Sequence, residues 1–262
     1  MKKNNGRLLT IFALFVYMFT LVPLVIITGA AFGSDDYLRF PPGGFSLKWV
    51  ENIFRVEMFV RTFKISLEVA VIGTMLALIV GIPAAYALSR YDFSGKRFLQ
   101  GVFLSPVLVP GIVFGFSLLN FLIIKYQMPV YTSLLIGHTV IIMPYIIRVI
   151  SSALENFDYS IEEAALSLGA GKIKTFFIIV LPNIASGVIA AFILAFINSF
   201  NNVPVSIFLT GPGVSTLPIQ MMSYVEYYFD PTIAALSVIL MGMTIILMLI
   251  IEKTLGLNYF TK

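Results

Sequence analysis

Long apolar stretches without a charged residue alternate with short polar segments along the chain. Five stretches of 21 to 27 residues contain no Asp, Glu, Lys or Arg, and neither does a sixth of 51 residues, 175–225. A helix needs about 20 apolar residues to cross the hydrocarbon layer of a membrane. Each of the five therefore predicts one span. The sixth predicts one span at 183–209 and then an irregular segment, because its end is rich in Gly, Pro and polar residues. The pattern predicts an all-α polytopic membrane protein with six transmembrane helices.

Composition supports a membrane protein. The chain is 59% hydrophobic and 11% charged, whereas an ordinary soluble domain has roughly 25% charged residues. This excludes a soluble enzyme, a disordered chain and a nucleic-acid-binding protein. The absence of cysteine excludes a disulfide, a thiolate nucleophile and a Cys-based zinc site. A lone histidine, His138, does not make a metal site.

Basic residues predict the orientation of the spans. With the N-terminus in the cytoplasm, 11 of the 17 Lys and Arg residues fall on inner segments and 6 on outer ones, which agrees with the positive-inside rule. Six spans place both termini on the same side, so we expect N- and C-termini in the cytoplasm. The apolar core of the first stretch, 8–27, is longer than the roughly 7–15 residues of a cleavable signal peptide, and we interpret it as a span.

The predicted cytoplasmic segment between the fourth and fifth spans has the pattern of two short helices. Ser160 and Glu163 have the spacing of a capping box, and Asp158 is an alternative cap. Apolar residues follow at 161, 164, 165 and 168, the spacing of an amphipathic helix. Gly169 then stands where a helix takes a left-handed terminus. A second short helix is predicted from Lys172 to Leu181, ending at Pro182.

This segment also carries a long motif. The residues Glu163, Ala164, Ala165, Gly169, Ile179, Leu181 and Pro182 match the EAA motif at its defined positions. On this motif the chain resembles the transmembrane subunits of binding-protein-dependent ABC importers. The resemblance implies a type I importer permease fold for a single transmembrane permease domain, 1–262. It also implies that segment 151–181 is a coupling segment that docks on the ATP-hydrolysing subunit.

Shorter motifs resemble the polyamine-type branch of that family, which also includes permeases for phosphonate, thiamine and ferric iron. They include Ala84–Arg90 at the end of the second span and Asp230-Pro231 before the last. The resemblance implies a permease subunit of the bacterial plasma (inner) membrane. It would form the path for a polyamine or similar small organic ion delivered by an extracytoplasmic binding protein.

The resemblance also implies partners and cofactors. The expected partners are two ATP-binding subunits, a second permease that is a different chain, and the binding protein. The chain is also expected to lie in the lipid bilayer and to bind no nucleic acid. ATP with Mg²⁺ would bind the partner subunit, so this chain is expected to be no enzyme and to bind no cofactor or metal. Two alternatives remain: a permease for phosphonate, thiamine or ferric iron, and an ion-coupled secondary transporter. The latter needs ionisable groups inside the membrane, where only Glu68 and His138 qualify.

Polar residues inside the spans are candidates for the translocation pathway. Asn198, Asn201 and Asn202 are predicted to share one face of the fifth span, where they either line the pathway or form interhelical hydrogen bonds. Neutral amides lack the charge that would favour a polycation. Glu68 lies about one turn into the second span and either reaches the interface or belongs to an outer gate. For His138 we favour hydrogen-bonded packing over a proton relay.

Overall fold

The computed structural model describes residues 3–255; residues 1–2 and 256–262 of the predicted domain lie outside this range. Within it, helices are joined by short connections, and the extended pairings are two isolated bridges, Gly33–Phe45 and Gly211–Val214. The helices are α1 (Lys3–Ala31), α2 (Lys48–Arg55), α3 (Glu57–Arg90), α4 (Lys96–Leu108), α5 (Gly111–Leu118), α6 (Val130–Glu155), α7 (Tyr159–Ser167), α8 (Lys172–Thr175), α9 (Leu181–Asn183), α10 (Ala185–Phe200), α11 (Ser206–Leu209), α12 (Leu217–Tyr227) and α13 (Thr232–Leu255), with π-helical turns at Leu119–Lys125 and Phe176–Val180. The all-α fold is confirmed.

Four helices are long and apolar enough to cross a membrane without a break: Leu8–Ala31, Glu57–Arg90, Val130–Glu155 and Thr232–Lys253. Two further candidates are bent pairs. Lys96–Leu108 and Gly111–Lys125 meet at 102°, and Lys172–Asn183 and Ala185–Phe200 meet at 71°. The described residues therefore hold six spans when each bent pair is one span.

A proline causes the first of these bends. Val109, which follows α4, is extended with φ −88° and ψ 134°, and Pro110 follows with φ −53° and ψ 129°. A residue before proline is disfavoured in the helical region because its backbone clashes with the proline ring. Proline also lacks the N–H that would continue the helical hydrogen bonds. The chain leaves α4 here and begins α5 in a new direction.

The predicted extent of the fifth span, 183–209, is wrong. The helix α10 begins at Ala185 and ends at Phe200, and Asn201 is its C-terminal cap. Asn201 and Asn202 form a turn before Pro204. Asparagine side chains compete for backbone hydrogen bonds. Pro204 has no backbone N–H to donate to the helical hydrogen bonds. The helix therefore stops, and only the short α11 follows.

The chain divides into two compact units, residues 3–61 with 220–244 and residues 62–219 with 245–255. In the first unit, α2 is tied to its surroundings by side-chain hydrogen bonds. Trp49 Nε1 donates to the backbone oxygen of Asp35 at 3.0 Å. Asn52 Nδ2 donates to Thr232 Oγ1 at 2.9 Å. These bonds attach α2 to the preceding loop and to the start of α13.

The core of the second unit is built around α6. Its residues Leu134, Ile142, Ile146, Ile150 and Leu154 are fully buried at helical spacing, and α6 packs against both α4 and α10. Small residues let the neighbouring helix α10 come close. A Cβ on Gly187 would lie 2.5 Å from Ala153 Cβ. In lipid, close approach of backbones through small residues is a main source of helix association, so α6 is the fixed centre of this unit.

Candidate coupling site

The motif segment opens with α7, whose N-terminus differs from the predicted capping box. The N-cap is Asp158, and its Oδ1 accepts a hydrogen bond from the Ser160 N–H at 2.9 Å. Ser160 lies inside the first turn, so the predicted capping box of Ser160 and Glu163 is wrong and the alternative cap is confirmed. The Ser160 N–H bond stabilises the charged carboxylate and lowers the pKa of Asp158 below its ordinary value. A charged carboxylate is also favoured by the helix dipole.

The C-terminus of α7 confirms the predicted role of Gly169. Its φ is 88°, the left-handed region that favours glycine. The Gly169 N–H donates to Leu166 O at 3.0 Å and the Ala170 N–H donates to Ala165 O at 3.1 Å. These two bonds form a Schellman motif. The segment then turns and continues as α8, which lies against α7.

One side of α7 is an exposed apolar ridge formed by Ile161, Ala164 and Leu168. Ile161 is 45% exposed and Leu168 is 90% exposed. Glu163 is exposed as well, on another face of the helix. Exposed apolar residues grouped on one face mark an interaction surface more often than isolated ones do. Three of the four residues of the predicted stripe therefore point away from the unit to which α7 is attached, and the fourth, Ala165, is half-buried.

A different face of α7 buries a carboxylate that sequence reasoning did not identify. The side chain of Glu162 is 4% exposed. Its Oε1 accepts a hydrogen bond from the Tyr86 hydroxyl near the end of α3. Its Oε2 lies 3.2 Å from Arg90 Nε, an ion pair that lacks the alignment of a hydrogen bond. The two partners lie one turn apart near the end of α3, so Glu162 joins α7 to the end of a span.

The guanidinium of Arg90 extends this connection to a second span. A terminal nitrogen of Arg90 donates to the backbone oxygen of Leu154 at 3.3 Å, near the end of α6. The same guanidinium lies 4.6 Å from the ring centre of Tyr159, the first residue of α7, within the range of a cation–π contact. The Arg90 side chain is 13% exposed. This largely buried cation at the end of α3 therefore contacts α6 and α7, and a displacement of α7 would act on two spans.

The second half of the motif lies in the helical segment after the turn. Ile179 and Leu181 are half-buried, and Pro182 is exposed. The predicted end of this helix at Pro182 is wrong by a small margin, since α9 runs to Asn183 and the bend follows at Ile184. A π-helical turn precedes the proline, and such turns are a common accommodation of an interrupted ladder.

The three predicted pathway asparagines do not share one helical face. Asn198 lies within α10, where its Nδ2 donates to the Leu194 backbone oxygen at 2.9 Å. Asn202 lies beyond the helix, and its Oδ1 accepts from the Val205 N–H at 3.0 Å. Asn201, the cap of α10, is the exposed member of the set. The prediction of a common face is wrong because it assumed a helix through Pro204.

Glu68, the other predicted pathway residue, is 42% exposed in its side chain. Its Oε1 lies 4.0 Å from Lys64 Nζ, one turn earlier on α3. Such an exposed pair contributes little to stability, roughly 0–1 kcal/mol. The carboxylate therefore remains accessible on the face of α3.

His138 packs through hydrogen bonds, as favoured from the sequence. It is 1% exposed, with Ser199 Oγ 2.8 Å from Nδ1 and Ser206 Oγ 2.9 Å from Nε2. The Ser206 hydroxyl donates to Asn202 O at 2.6 Å. Because a hydroxyl has one proton to donate, Ser206 accepts from His138, which places the imidazole proton on Nε2. This network fixes α6 against α10 and α11.

Comparison with known proteins decides the family. Residues 58–255 match the family described as Binding-protein-dependent transport system inner membrane component. The chain belongs to this family. It is 32% identical over 235 residues to the spermidine/putrescine transport system permease protein PotC of Escherichia coli (strain K12), covering 89% of this chain and 88% of PotC. It is 31% identical over 233 residues to the putrescine transport system permease protein PotI of the same organism, covering 86% of this chain and 83% of PotI.

The fold of this permease agrees with a solved importer. A permease chain in the crystal structure of a bacterial ABC transporter involved in the import of the acidic polysaccharide alginate superposes with a TM-score of 0.68 over 99% of both chains, at 18% identity. The resemblance to ABC importer permeases is confirmed, and the chain is a transport permease and not an enzyme. Membership of the family implies ATP-binding subunits and a binding protein as partners, and an inner-membrane location.

Proposed function

We propose that this permease imports a polyamine or a similar small organic cation that an extracytoplasmic binding protein delivers. The observation that carries the proposal is the 31–32% identity, over most of the chain, to permeases named for spermidine and putrescine transport. ATP with Mg²⁺ binds two partner subunits, and a second permease of different sequence completes the pathway. The polyamine-type motifs at Ala84–Arg90 and Asp230-Pro231 support the same assignment.

Coupling to ATP hydrolysis goes through α7. The apolar ridge of Ile161, Ala164 and Leu168 docks on an ATP-hydrolysing subunit. When ATP closes the pair of partner subunits, α7 moves with them. The Glu162–Arg90 pair then transmits the movement to α3 and α6. Separating the two side chains would leave an unpaired charge in a largely buried site, which costs free energy.

The pathway residues are consistent with a cation when Glu68 is included. Asn202 and Asn198 are engaged in local hydrogen bonds, so Asn201 is the amide available to a cargo. Amides interact with a cation only at short range, whereas a carboxylate acts over several ångströms. We therefore assign the attraction of a cationic cargo to Glu68.

The orientation of the spans follows from the basic residues. We place both termini in the cytoplasm, which puts α7 and its connection to Arg90 on the side where ATP is available. Single cysteines report this directly because the chain has none of its own. Ser215→Cys should react with an impermeant thiol reagent in intact cells, and Ser94→Cys should react only after the membrane is opened. Labelling of Ser94→Cys in intact cells would reverse the assignment.

Transport by the purified complex tests the proposed cargo. The permease is purified with the subunits that accompany it and reconstituted in vesicles with the binding protein outside and ATP inside. We expect uptake of labelled spermidine or putrescine, and no competition from phosphonate, thiamine or ferric iron. Uptake that needs an ion gradient and no ATP would indicate a secondary transporter. ATP-driven uptake of phosphonate, thiamine or ferric iron without polyamine uptake would show that the proposed cargo is wrong and that the protein is still an ATP-driven importer.

A further inference from the structure

A cavity of about 560 Å³ opens between the ends of three spans, on the membrane face that also carries α7. The end of α3, the start of α4 and the last turns of α6 form its walls. Its volume lies within the roughly 300–1,000 Å³ of small-molecule sites. The mechanism proposed above does not use this cavity, although Arg90 contributes to its lining.

Part of the cavity lining is cationic and polar. The side chain of Arg148 from α6 is exposed, lines the cavity and has no hydrogen-bond or ion-pair partner among residues 8–253. Lys96 lines it from α4 and pairs with Asp92 at 2.9 Å, but the Asp92 side chain is 99% exposed. A pair with one fully solvated member is weak, so Lys96 can be shared. Arg90 also lines the cavity but is already paired with Glu162. Arg148 and Lys96 therefore face a single carboxylate of the lining, Glu155.

Another part of the lining is apolar. It consists of Leu88, Phe103, Leu104 and Ile147, which continue toward the membrane-spanning parts of their helices. Gln100 and Ser151 also line the cavity and offer neutral hydrogen-bond donors. A ligand that fits this lining needs an anionic head with several acceptor oxygens and an apolar body that follows the spans.

We propose that this cavity, defined by Arg148, Lys96, Gln100 and Ser151, binds the phosphate of an anionic phospholipid headgroup. Arginine recognises phosphate oxygens through two parallel N–H donors. Basic pockets between transmembrane helices are suited to anionic lipid heads. The end of a span is the depth at which a bilayer places its phosphates. The acyl chains would then lie along Phe103, Leu104 and Ile147.

Lipid retention by the purified complex, read by native mass spectrometry, tests the proposal. The probes are dioctanoyl phosphatidylglycerol, dioctanoyl phosphatidylcholine and glycerol 3-phosphate, added at matched concentrations. We expect one preferred site for phosphatidylglycerol, with weaker binding of phosphatidylcholine and still weaker binding of glycerol 3-phosphate. Arg148→Gln should lower the affinity for phosphatidylglycerol about tenfold, and Glu155→Gln should raise it, because it removes the one carboxylate of the lining.

The matched control is Arg97→Gln. Arg97 follows Lys96 on the same helix, is exposed and does not line the cavity, so the same loss of charge there should leave the affinity unchanged. Equal losses in Arg148→Gln and Arg97→Gln would overturn the site and leave only general attraction to a basic surface. Equal binding of phosphatidylcholine would overturn the preference for an anionic head. Equal binding of glycerol 3-phosphate would assign the phosphate site to a free anion and overturn the lipid as its occupant.

Discussion

Replacing the buried Glu162 by glutamine isolates the connection between α7 and the spans. Glutamine has the same shape and keeps an oxygen for the Tyr86 hydroxyl, so the main loss is the negative charge 3.2 Å from Arg90 Nε. Removing one partner of a buried ion pair costs about 3–5 kcal/mol because the other charge stays buried and unpaired. Arg90 keeps the Leu154 carbonyl and the Tyr159 ring, so we expect the lower end, about 3 kcal/mol.

Hydrogen exchange of the α7 amides measures this loss. About 3 kcal/mol corresponds to a roughly 100-fold increase in the opening of α7. The control is Glu163→Gln, which changes the adjacent but exposed carboxylate and should stay within about 0.5 kcal/mol of the native value. In the complex, Glu162→Gln should also weaken stimulation of ATP hydrolysis by the loaded binding protein.

A double variant excludes a merely local effect of glutamine. If the ion pair is the cause, Glu162→Gln combined with Arg90→Gln should cost much less than the sum of the single changes, since no charge is then stranded. Equal exchange in Glu162→Gln and Glu163→Gln would refute the reasoning. So would a double variant whose cost equals the sum.

Three further predictions follow from α7 and the turn after α10. Gly169→Ala should destabilise the end of α7 by about 1–2 kcal/mol, because φ is 88° even though there is space for a Cβ. Gly169→Pro should abolish cargo-stimulated ATPase activity because proline cannot adopt this φ. Full activity in an assembled Gly169→Pro complex would refute the role of this turn. The Asp158 cap should stabilise α7 at a pH above the pKa of this carboxyl in the unfolded chain, and this stabilisation should be lost as pH falls through the lowered pKa in the folded state. Hydrogen exchange of the α7 amides in Asp158→Asn should lack this pH dependence of stability. The same pH dependence in the variant would exclude the cap. Asn202→Asp keeps the acceptor for the Val205 N–H and should preserve expression, whereas Asn202→Ala should destabilise the turn. Faster cation uptake by Asn202→Asp at equal expression would show that Asn202 lines the translocation pathway.

Local features of the coupling segment could be predicted from the sequence. Gly169 was predictable because a positive φ after an amphipathic stretch needs only the residues beside it. The first turn of α7 was harder, since Asp158 and Ser160 are both good caps two positions apart and their neighbours do not distinguish them. The helix ends at Phe200, before the predicted 209, because Pro204 and two asparagines interrupt an apolar run.

The partners of Glu162 could not be predicted because they are distant in the chain. Tyr86 is 76 residues away from Glu162, and the periodicity of α7 shows only that 162 lies off the apolar stripe. A Tyr and an Arg four residues apart at the end of a span were the available signal, but they do not name their acidic partner. The same limit applies to His138, whose serines lie 61 and 68 residues away.

Photo-crosslinking from Leu168 tests most directly that α7 docks on the ATP-hydrolysing subunit. A photoreactive amino acid replaces Leu168, which is 90% exposed on the apolar ridge, or Leu108, which is 78% exposed at the end of α4. Both are illuminated in the assembled complex with its partners. The account predicts an adduct with the ATP-binding subunit from position 168 and none from position 108. No adduct with that subunit from position 168, in a complex that still hydrolyses ATP, would contradict it.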